Sequence, residues 1–263
     1  MRLARVKHPR VRYRTVDLSS GAAVSNALCG VDGIIHLAYS HVPGKYREGH
    51  GQDLGGWLRT NLNMHLNLLL AAQARGVGHF LFLSSRAVYG AGDGPFRESD
   101  APRPDSHYGA LKAASELLMS TFDGMRSCAV RSTGVYGCVE PIGSSKWFGL
   151  VRSLAAGVLP EDRIGTEVHG RDLARVVAFL LDYTDRWPAV VNVSDMAISH
   201  SMLADVFSRR TGRAVEVRQR LGPAKGVMAC DWLESAGFTF GGRPLFEETV
   251  GRLIDACDQD GAR

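Results

Sequence analysis

Apolar residues follow two alternating patterns along most of the chain. Short, continuous apolar runs at 34–38, 80–83, 128–130 and 190–193 are typical of strands buried in a parallel sheet. In the segments between and after these runs, apolar residues recur every three or four positions, which predicts helices. The predicted helices cover residues 22–28, 58–74, 108–118, 147–156, 171–182, 199–210 and 245–256. The alternation predicts an α/β fold with a doubly wound parallel sheet and helices on both faces.

Residues 11–16, with the sequence VRYRTV, alternate apolar and polar side chains and predict one more strand. The motif Asp-Leu-Ser-Ser that follows it offers a helix cap at Ser19 or Ser20. Gly76 and Gly78 end the long second helix.

Composition and charge exclude several classes of protein. The net charge of +4 is mild, and the basic residues are spread out except within the first 14 positions, which favours a solvated edge over nucleic-acid binding. Five cysteines without a CxxC or zinc spacing predict a reduced, cytoplasmic protein with no metal site. We expect neither a membrane span nor a signal peptide, because no apolar segment is long enough or follows the basic N-terminus.

Tyr108 and Lys112 are the strongest candidates for chemistry. Four residues apart in the first turns of a predicted helix, they lie on one helical face. A lysine ammonium beside a phenol stabilises the phenolate, so that the phenol can exchange a proton with a substrate hydroxyl or carbonyl. Such pairs are also common on helix surfaces, and alone this one is a weak signal.

Ser85 is a second candidate, because it directly follows an apolar strand. The carboxyl ends of parallel strands face the ligand crevice of an open α/β sheet. A serine there can hydrogen-bond the same substrate oxygen as a tyrosine, although it is equally suited to a turn.

These features, taken in order, resemble the extended short-chain dehydrogenase/reductase family, the NAD-dependent epimerases and dehydratases. The matching segments are VDGIIHLA at 31–38, FLFLSSRAVYG at 80–90, RSTGVYG at 131–137 and VHGRDLA at 168–174, together with Tyr108 and Lys112. The resemblance extends over nearly the whole chain. It implies a Rossmann-like nucleotide-binding core over residues 1–137. It also implies a mixed region over 138–263 that holds the last core elements and a small C-terminal substrate lobe.

The resemblance also implies roles for individual residues. Ser85, Tyr108 and Lys112 would be the catalytic group. The residues that would contact a nicotinamide dinucleotide, NAD or NADP, are Asp17, Ala38, Lys112, Thr133 and Val135. Arg86 and Tyr136 are candidates for contact with the substrate, Arg86 with an anionic one, although Arg86 is also typical of a solvated loop arginine. Asp17 serves equally well as a helix cap, and Arg86 stands where sugar-nucleotide dehydratases of the family tend to carry an acidic residue.

The sequence departs from the family at its N-terminus. No GxxGxxG follows a strand, although the family binds the cofactor pyrophosphate on that loop. The missing βαβ unit corresponds to at least ~30 residues. We expect weaker dinucleotide binding. We also expect a truncated sheet in which strand 34–37 has a bare apolar edge, and a homodimer that could cover it.

The function implied is an epimerase/dehydratase-type enzyme acting on a small molecule that carries a hydroxyl or carbonyl group, such as a nucleotide sugar or a biosynthetic intermediate. Two alternatives remain open. One is a cofactor-independent isomerase, cyclase or dehydratase that uses Tyr108, and the other is a non-catalytic binding or regulatory protein on the same scaffold.

Overall fold

A computed structural model describes residues 8–42, 45, 49–158, 161–215 and 224–261. Its strands are β1 (Gly33–His36), β2 (His79–Ser85), β3 (Arg126–Ser132), β4 (Gly134–Tyr136), β5 (Ile164–His169), β6 (Val190–Val193) and β7 (Met196–Ser199). Its helices are α1 (Gly21–Ala27), α2 (Leu54–Ala74), α3 (His107–Met119), α4 (Phe148–Ala155), α5 (Gly170–Asp182), α6 (His200–Thr211), α7 (Asp231–Ser235) and α8 (Gly242–Gly261). Short 3₁₀ helices span Arg86–Tyr89 and Ile142–Ser144.

The main sheet has four parallel strands in the order β1-β2-β3-β6. Because side chains alternate along a strand, β2 buries Phe80 and Phe82 on one face, against a cluster with α1, α2 and the end of α3. Leu81 packs on the other face with Cys128 and with residues of α5 and α7. Helices therefore cover both faces, and the predicted doubly wound fold is confirmed.

A smaller sheet pairs β4 with β5 in parallel and β5 with β7 in antiparallel orientation. It adjoins a second core to which α4, α6 and α8 contribute. The buried aromatic side chains of that core include Tyr136, Trp147, Phe148, Phe207 and Phe246. A second core is thus present, whereas the predicted division into a core over residues 1–137 and a mixed region with a small substrate lobe over 138–263 stays a prediction.

The prediction of a strand at residues 11–16 is wrong. These residues form no regular element, and the side chains of Val11 and Tyr13 are 45% and 48% exposed. Alternation favours a strand only where a neighbouring strand accepts its hydrogen bonds, and no described strand lies beside this segment.

Among the described residues, the bare edge predicted for the strand at 34–37 is present in β1. Within the described ranges, β1 hydrogen-bonds on one side only, to β2. Ile35 is 46% exposed and Leu37, just beyond the strand, is 61% exposed. Unpaired backbone groups and apolar side chains therefore share this edge.

Two kinds of feature are absent from the described residues. Among them, no helix has the length and apolarity needed to cross a membrane. The same residues contain no cluster of three or more histidine, cysteine, aspartate or glutamate side chains suited to holding a metal ion.

Candidate active site

The first turn of α3 packs directly against the segment that follows β2. Ser106 caps the helix by accepting a hydrogen bond from the Gly109 amide at 3.2 Å. A β-carbon at Gly109 would lie 2.2 Å from the carbonyl oxygen of Ala87, so only glycine permits this approach. The contact fixes Tyr108, the second residue of α3, beside the carboxyl end of β2.

Lys112 lies one turn after Tyr108 and points inward. Its ammonium is 5.9 Å from the ring centroid of Tyr108 and donates to the carbonyl oxygen of Leu83 at 2.7 Å. It also lies 4.6 Å from the ring centroid of Phe82. Burial lowers the pKa of Lys112 to about 8, against the opposing effect of the Glu116 carboxylate. The structure brings together the pair that the sequence singled out.

Ser85 is the last residue of β2, two positions after the carbonyl that anchors Lys112. It is half-buried, and its hydroxyl accepts a hydrogen bond from the Ala87 amide at 3.2 Å, capping the 3₁₀ helix. That 3₁₀ helix packs on α3 through Gly109. Ser85 and Tyr108 thus belong to adjoining segments at the same end of the sheet.

Tyr39, which the sequence analysis did not select, contacts both members of the pair. Its ring lies 5.3 Å from the ring of Tyr108 in an edge-to-face arrangement, and the Lys112 ammonium is 5.4 Å from its centroid. Asn61 holds the adjoining Ser40 by accepting from its amide at 2.8 Å and donating to its carbonyl at 3.1 Å. Burial raises the pKa of Tyr39 well above its usual range.

A buried polar network connects α3 to the main sheet. Glu116, one turn after Lys112, accepts three hydrogen bonds from the Arg131 guanidinium of β3 and one from the Ser84 hydroxyl. The Arg131 guanidinium also lies 4.7 Å from the ring centroid of Tyr89. Tyr89 in turn donates to Asn192 at 2.8 Å. The network ties α3 to β2, β3 and β6.

Asp17 and Ala38, predicted to touch the cofactor, lie apart from these networks. Asp17 is exposed and accepts from both the amide and the hydroxyl of Ser19, at 2.9 and 2.7 Å. These hydrogen bonds lower the pKa of Asp17. The contacts form a local turn before α1, whose cap is Ser20. Ala38 is exposed just beyond the end of β1.

The other two predicted cofactor residues flank the start of β4. Thr133 is buried, and both its amide and its hydroxyl donate to the carbonyl of Val193, at 3.1 and 3.4 Å. Val135 is 42% exposed and pairs with Val168. The side chain of Val135 is therefore accessible at the surface. The hydrogen bonds of Thr133 instead connect the end of β3 to β6 in the main sheet.

The two predicted substrate residues have different environments. Arg86 is half-buried, donates to the Gly90 carbonyl at 3.4 Å and lies against Gly226. Tyr136 is buried in the second core, with its ring stacked on Trp147 at 4.7 Å. No described residue hydrogen-bonds its hydroxyl, and burial raises its pKa. A role for Tyr136 at the substrate would require that core to open.

Comparison with protein families decides the classification of the chain. The model of the NAD-dependent epimerase/dehydratase family matches residues 2–194. The chain belongs to that family. The match includes Ser85, Tyr108 and Lys112.

Curated relatives of the family match over a shorter segment. A dTDP-glucose 4,6-dehydratase of Streptomyces griseus is 36% identical over 113 residues, which is 42% of this chain and 33% of that protein. D-erythronate dehydrogenase of Cupriavidus necator is 40% identical over 118 residues, which is 43% of this chain and 34% of that protein. The matched segments thus span about a third of the length of these relatives.

Solved structures of the family superpose over most of the chain. A Thermus thermophilus UDP-glucose 4-epimerase in complex with NAD is 24% identical, with a TM-score of 0.71 over 92% of this chain and 83% of that one. MoeE5 in complex with UDP-glucose and NAD is 25% identical, with a TM-score of 0.69 over 91% and 83%. This chain therefore shares the fold of these structures.

Proposed function

We propose that the chain is an epimerase/dehydratase-family enzyme that acts on a nucleotide sugar, with Tyr108 as its acid/base group. The observation that carries the proposal is the position of Lys112. Its ammonium is anchored on Leu83 at the carboxyl end of β2 and lies beside the ring of Tyr108. The relatives named above act on or bind nucleotide sugars and other hydroxylated molecules, which is consistent with this role.

Proton transfer is the chemistry that these residues supply. The Lys112 ammonium stabilises the Tyr108 phenolate, so that the phenol can release its proton to a substrate oxygen and take one back. The bond to Leu83 holds the ammonium in place in surroundings that disfavour its charge. Ser85 would hydrogen-bond the same substrate oxygen from the end of β2.

A nicotinamide dinucleotide fits part of this site. Lys112 has three N–H donors and uses one of them for Leu83, which leaves donors suited to ribose hydroxyls. The exposed Ala38 and Val135 offer surface to the cofactor, which when bound would exchange a hydride with the substrate. The printed sequence contains no GxxGxxG, the loop on which the family binds the pyrophosphate.

We also propose that the protein forms a homodimer through the edge of β1. Edge strands with unpaired backbone groups and exposed apolar side chains pair readily with another chain. Ile35 and Leu37 supply such side chains at this edge.

A cofactor-independent isomerase, cyclase or dehydratase is the second candidate. The observation that favours it is the contact of Tyr39 with both Tyr108 and Lys112, which gives the site a second phenol of its own. Tyr108 would then move protons without hydride transfer.

Titration of the full chain with NAD(H) and NADP(H), followed by calorimetry and nicotinamide fluorescence, separates the two candidates. Micromolar to sub-millimolar binding that weakens at least tenfold in Lys112→Met supports the redox enzyme, since hydrogen bonds to charged groups contribute about 1.5–3 kcal/mol. Lys225→Met, at an exposed position, is the matched control. No binding at millimolar concentrations of either cofactor would overturn the redox proposal and favour the cofactor-independent candidate.

A further inference from the structure

Two buried histidines, His36 of β1 and His65 of α2, belong to the core around Lys112, the proposed catalytic lysine. Their rings stack with centroids 5.2 Å apart and an interplanar angle of 25°. Only 4% of His36 and 1% of His65 is exposed. Burial is the main cause that lowers their pKa values, to about 3 and about 4, so both are neutral at pH 7. An uncharged imidazole pair therefore fills this part of the core.

The tautomer of His65 follows from its one hydrogen bond. Its Nε2 lies 2.9 Å from the carbonyl oxygen of Ser115, which can only accept. Nε2 therefore carries the proton, and Nδ1 is left with a free lone pair. Nδ1 is buried, and no described residue donates to it. A buried acceptor without a donor is costly, so this atom requires a partner.

Lys112 has the donors that His65 lacks. The His65 ring and the Lys112 ammonium both lie against Phe82, 4.7 and 4.6 Å from its centroid. The charge of Lys112 is also among the causes that lower the pKa of His65 and of His36. An unpaired acceptor and an ammonium with unused N–H groups thus share one buried cluster.

We propose that His65 is a positioning residue for Lys112, and that its Nδ1 accepts a hydrogen bond from one bound water, which itself accepts an N–H of the ammonium. This inference rests on the role proposed above for Lys112. With Leu83 on the strand side and His65 on the α2 side, the ammonium is held at two points, and the remaining donor is left for the substrate and cofactor side. His36 stacks on His65 and fixes the plane of its ring.

Several titratable groups face Lys112. They are His36 from β1, Tyr39 from the loop after it, His65 from α2, and Tyr108 and Glu116 on α3 itself. From β2, Phe82 contributes its ring and Leu83 its carbonyl oxygen. Of these titratable groups, His65 alone combines a fixed acceptor with a missing donor among the described residues.

A pair of substitutions separates positioning from a structural role. In His65→Gln the amide nitrogen can still donate to Ser115 in place of Nε2, whereas the acceptor at the Nδ1 position is lost. In His65→Asn the side-chain oxygen can replace Nδ1, whereas the donor no longer reaches Ser115. A structural role predicts that His65→Asn is the more harmful change, and a positioning role predicts that His65→Gln alters Lys112.

The readout is the pKa of Lys112, measured from the pH dependence of its side-chain ¹³Cε shift in lysine-labelled full-length protein. The chain has only five lysines, and Lys112→Met identifies the signal. We expect the pKa of Lys112 to fall by about one unit in His65→Gln, as for the loss of one hydrogen bond to a charged group, and to change little in His65→Asn. Should His65→Gln fail to fold, His65→Phe also lacks the acceptor and carries the same expectation.

An unchanged pKa in the acceptor-free variant, or equal shifts in the Gln and Asn variants, would overturn the inference. The titration needs neither cofactor nor substrate. A chain that turns over nothing, yet shows the shift, would contradict the proposed function and leave the positioning role of His65 standing. A chain that is active but shows no shift in the pKa of Lys112 would support the proposed function and contradict the positioning role of His65.

Discussion

Glu116 and Arg131 form an ion pair beneath the proposed catalytic helix, with Nη2 of the arginine 2.6 Å from Oε2 of the glutamate. Their side chains are 8% and 4% exposed. Glu116 lies on α3 one turn after Lys112, and Arg131 lies on β3, so the pair fixes the helix to the sheet. The position of the proposed acid/base group depends on this buried connection.

Replacing Glu116 with Gln should strongly destabilise the protein. The substitution leaves the Arg131 guanidinium buried without a counter-charge, which costs about 3–5 kcal/mol. Urea unfolding measures the change. Glu248→Gln removes a partner from the exposed pair of Arg171 and Glu248 and should cost less than about 1 kcal/mol. Similar losses in both variants would show that the buried pair has no special role.

Lys112→Met should stabilise the protein at pH 7, by about 1–3 kcal/mol. Burial lowers the folded-state pKa of Lys112 from 10.5 to about 8, so its ammonium opposes folding. The free-energy cost of burying the ammonium is present in full below pH 8 and disappears as the pH rises towards 10.5. The advantage of the variant, measured by denaturant unfolding between pH 7 and 10.5, should shrink with increasing pH. A constant or growing advantage contradicts the assignment, and Lys225→Met should show none.

Gly109 and Gly149 should respond oppositely to alanine. A β-carbon at Gly109 meets the Ala87 carbonyl at 2.2 Å, and displacing α3 to relieve the clash should cost about 1–3 kcal/mol or more. Gly149 lies in α4 with nothing within 4 Å of the added carbon, so Gly149→Ala should stabilise by about 0.5–1 kcal/mol. Thermal unfolding of both variants provides the comparison. Tolerance of alanine at position 109 would mean that α3 does not need this approach.

The oligomeric state tests the proposed use of the β1 edge. Ile35→Lys adds a charge at this edge and should convert a dimer to a monomer in sedimentation equilibrium. Leu181→Lys, on α5, places the same charge at another exposed apolar position and should leave the mass unchanged. A monomeric wild type, or a dimer that tolerates the lysine at 35, rules out this interface.

The sequence was sufficient for elements whose pattern is long or continuous. The four apolar runs are the four strands of the main sheet, and the helical face of α3 put Tyr108 and Lys112 side by side. The strands β4, β5 and β7 were not predicted, because segments of three to six residues without a clear alternation carry little local signal. Residues 11–16 show the converse, since they have the alternation but no neighbouring strand.

The parts of the site that the sequence did not predict depend on tertiary contacts. Tyr39 contacts Tyr108, and Asn61, 21 positions along the chain from Ser40, holds the residue next to Tyr39. The spacing of Glu116, four residues after Lys112, could have marked it as a third residue on the same helical face. Its partner Arg131 belongs to a strand that the sequence does not connect to α3.

The most direct test of the central claim is turnover of nucleotide sugars by the full chain and by Tyr108→Phe. Incubation with NAD and either UDP-glucose, UDP-glucuronic acid or dTDP-glucose, followed by chromatography, measures conversion. We predict conversion by the wild type and a loss of about 10²–10⁴-fold in Tyr108→Phe, the usual contribution of a general acid/base, with unchanged cofactor affinity and thermal stability. Equal rates in the two proteins would contradict the assignment of Tyr108.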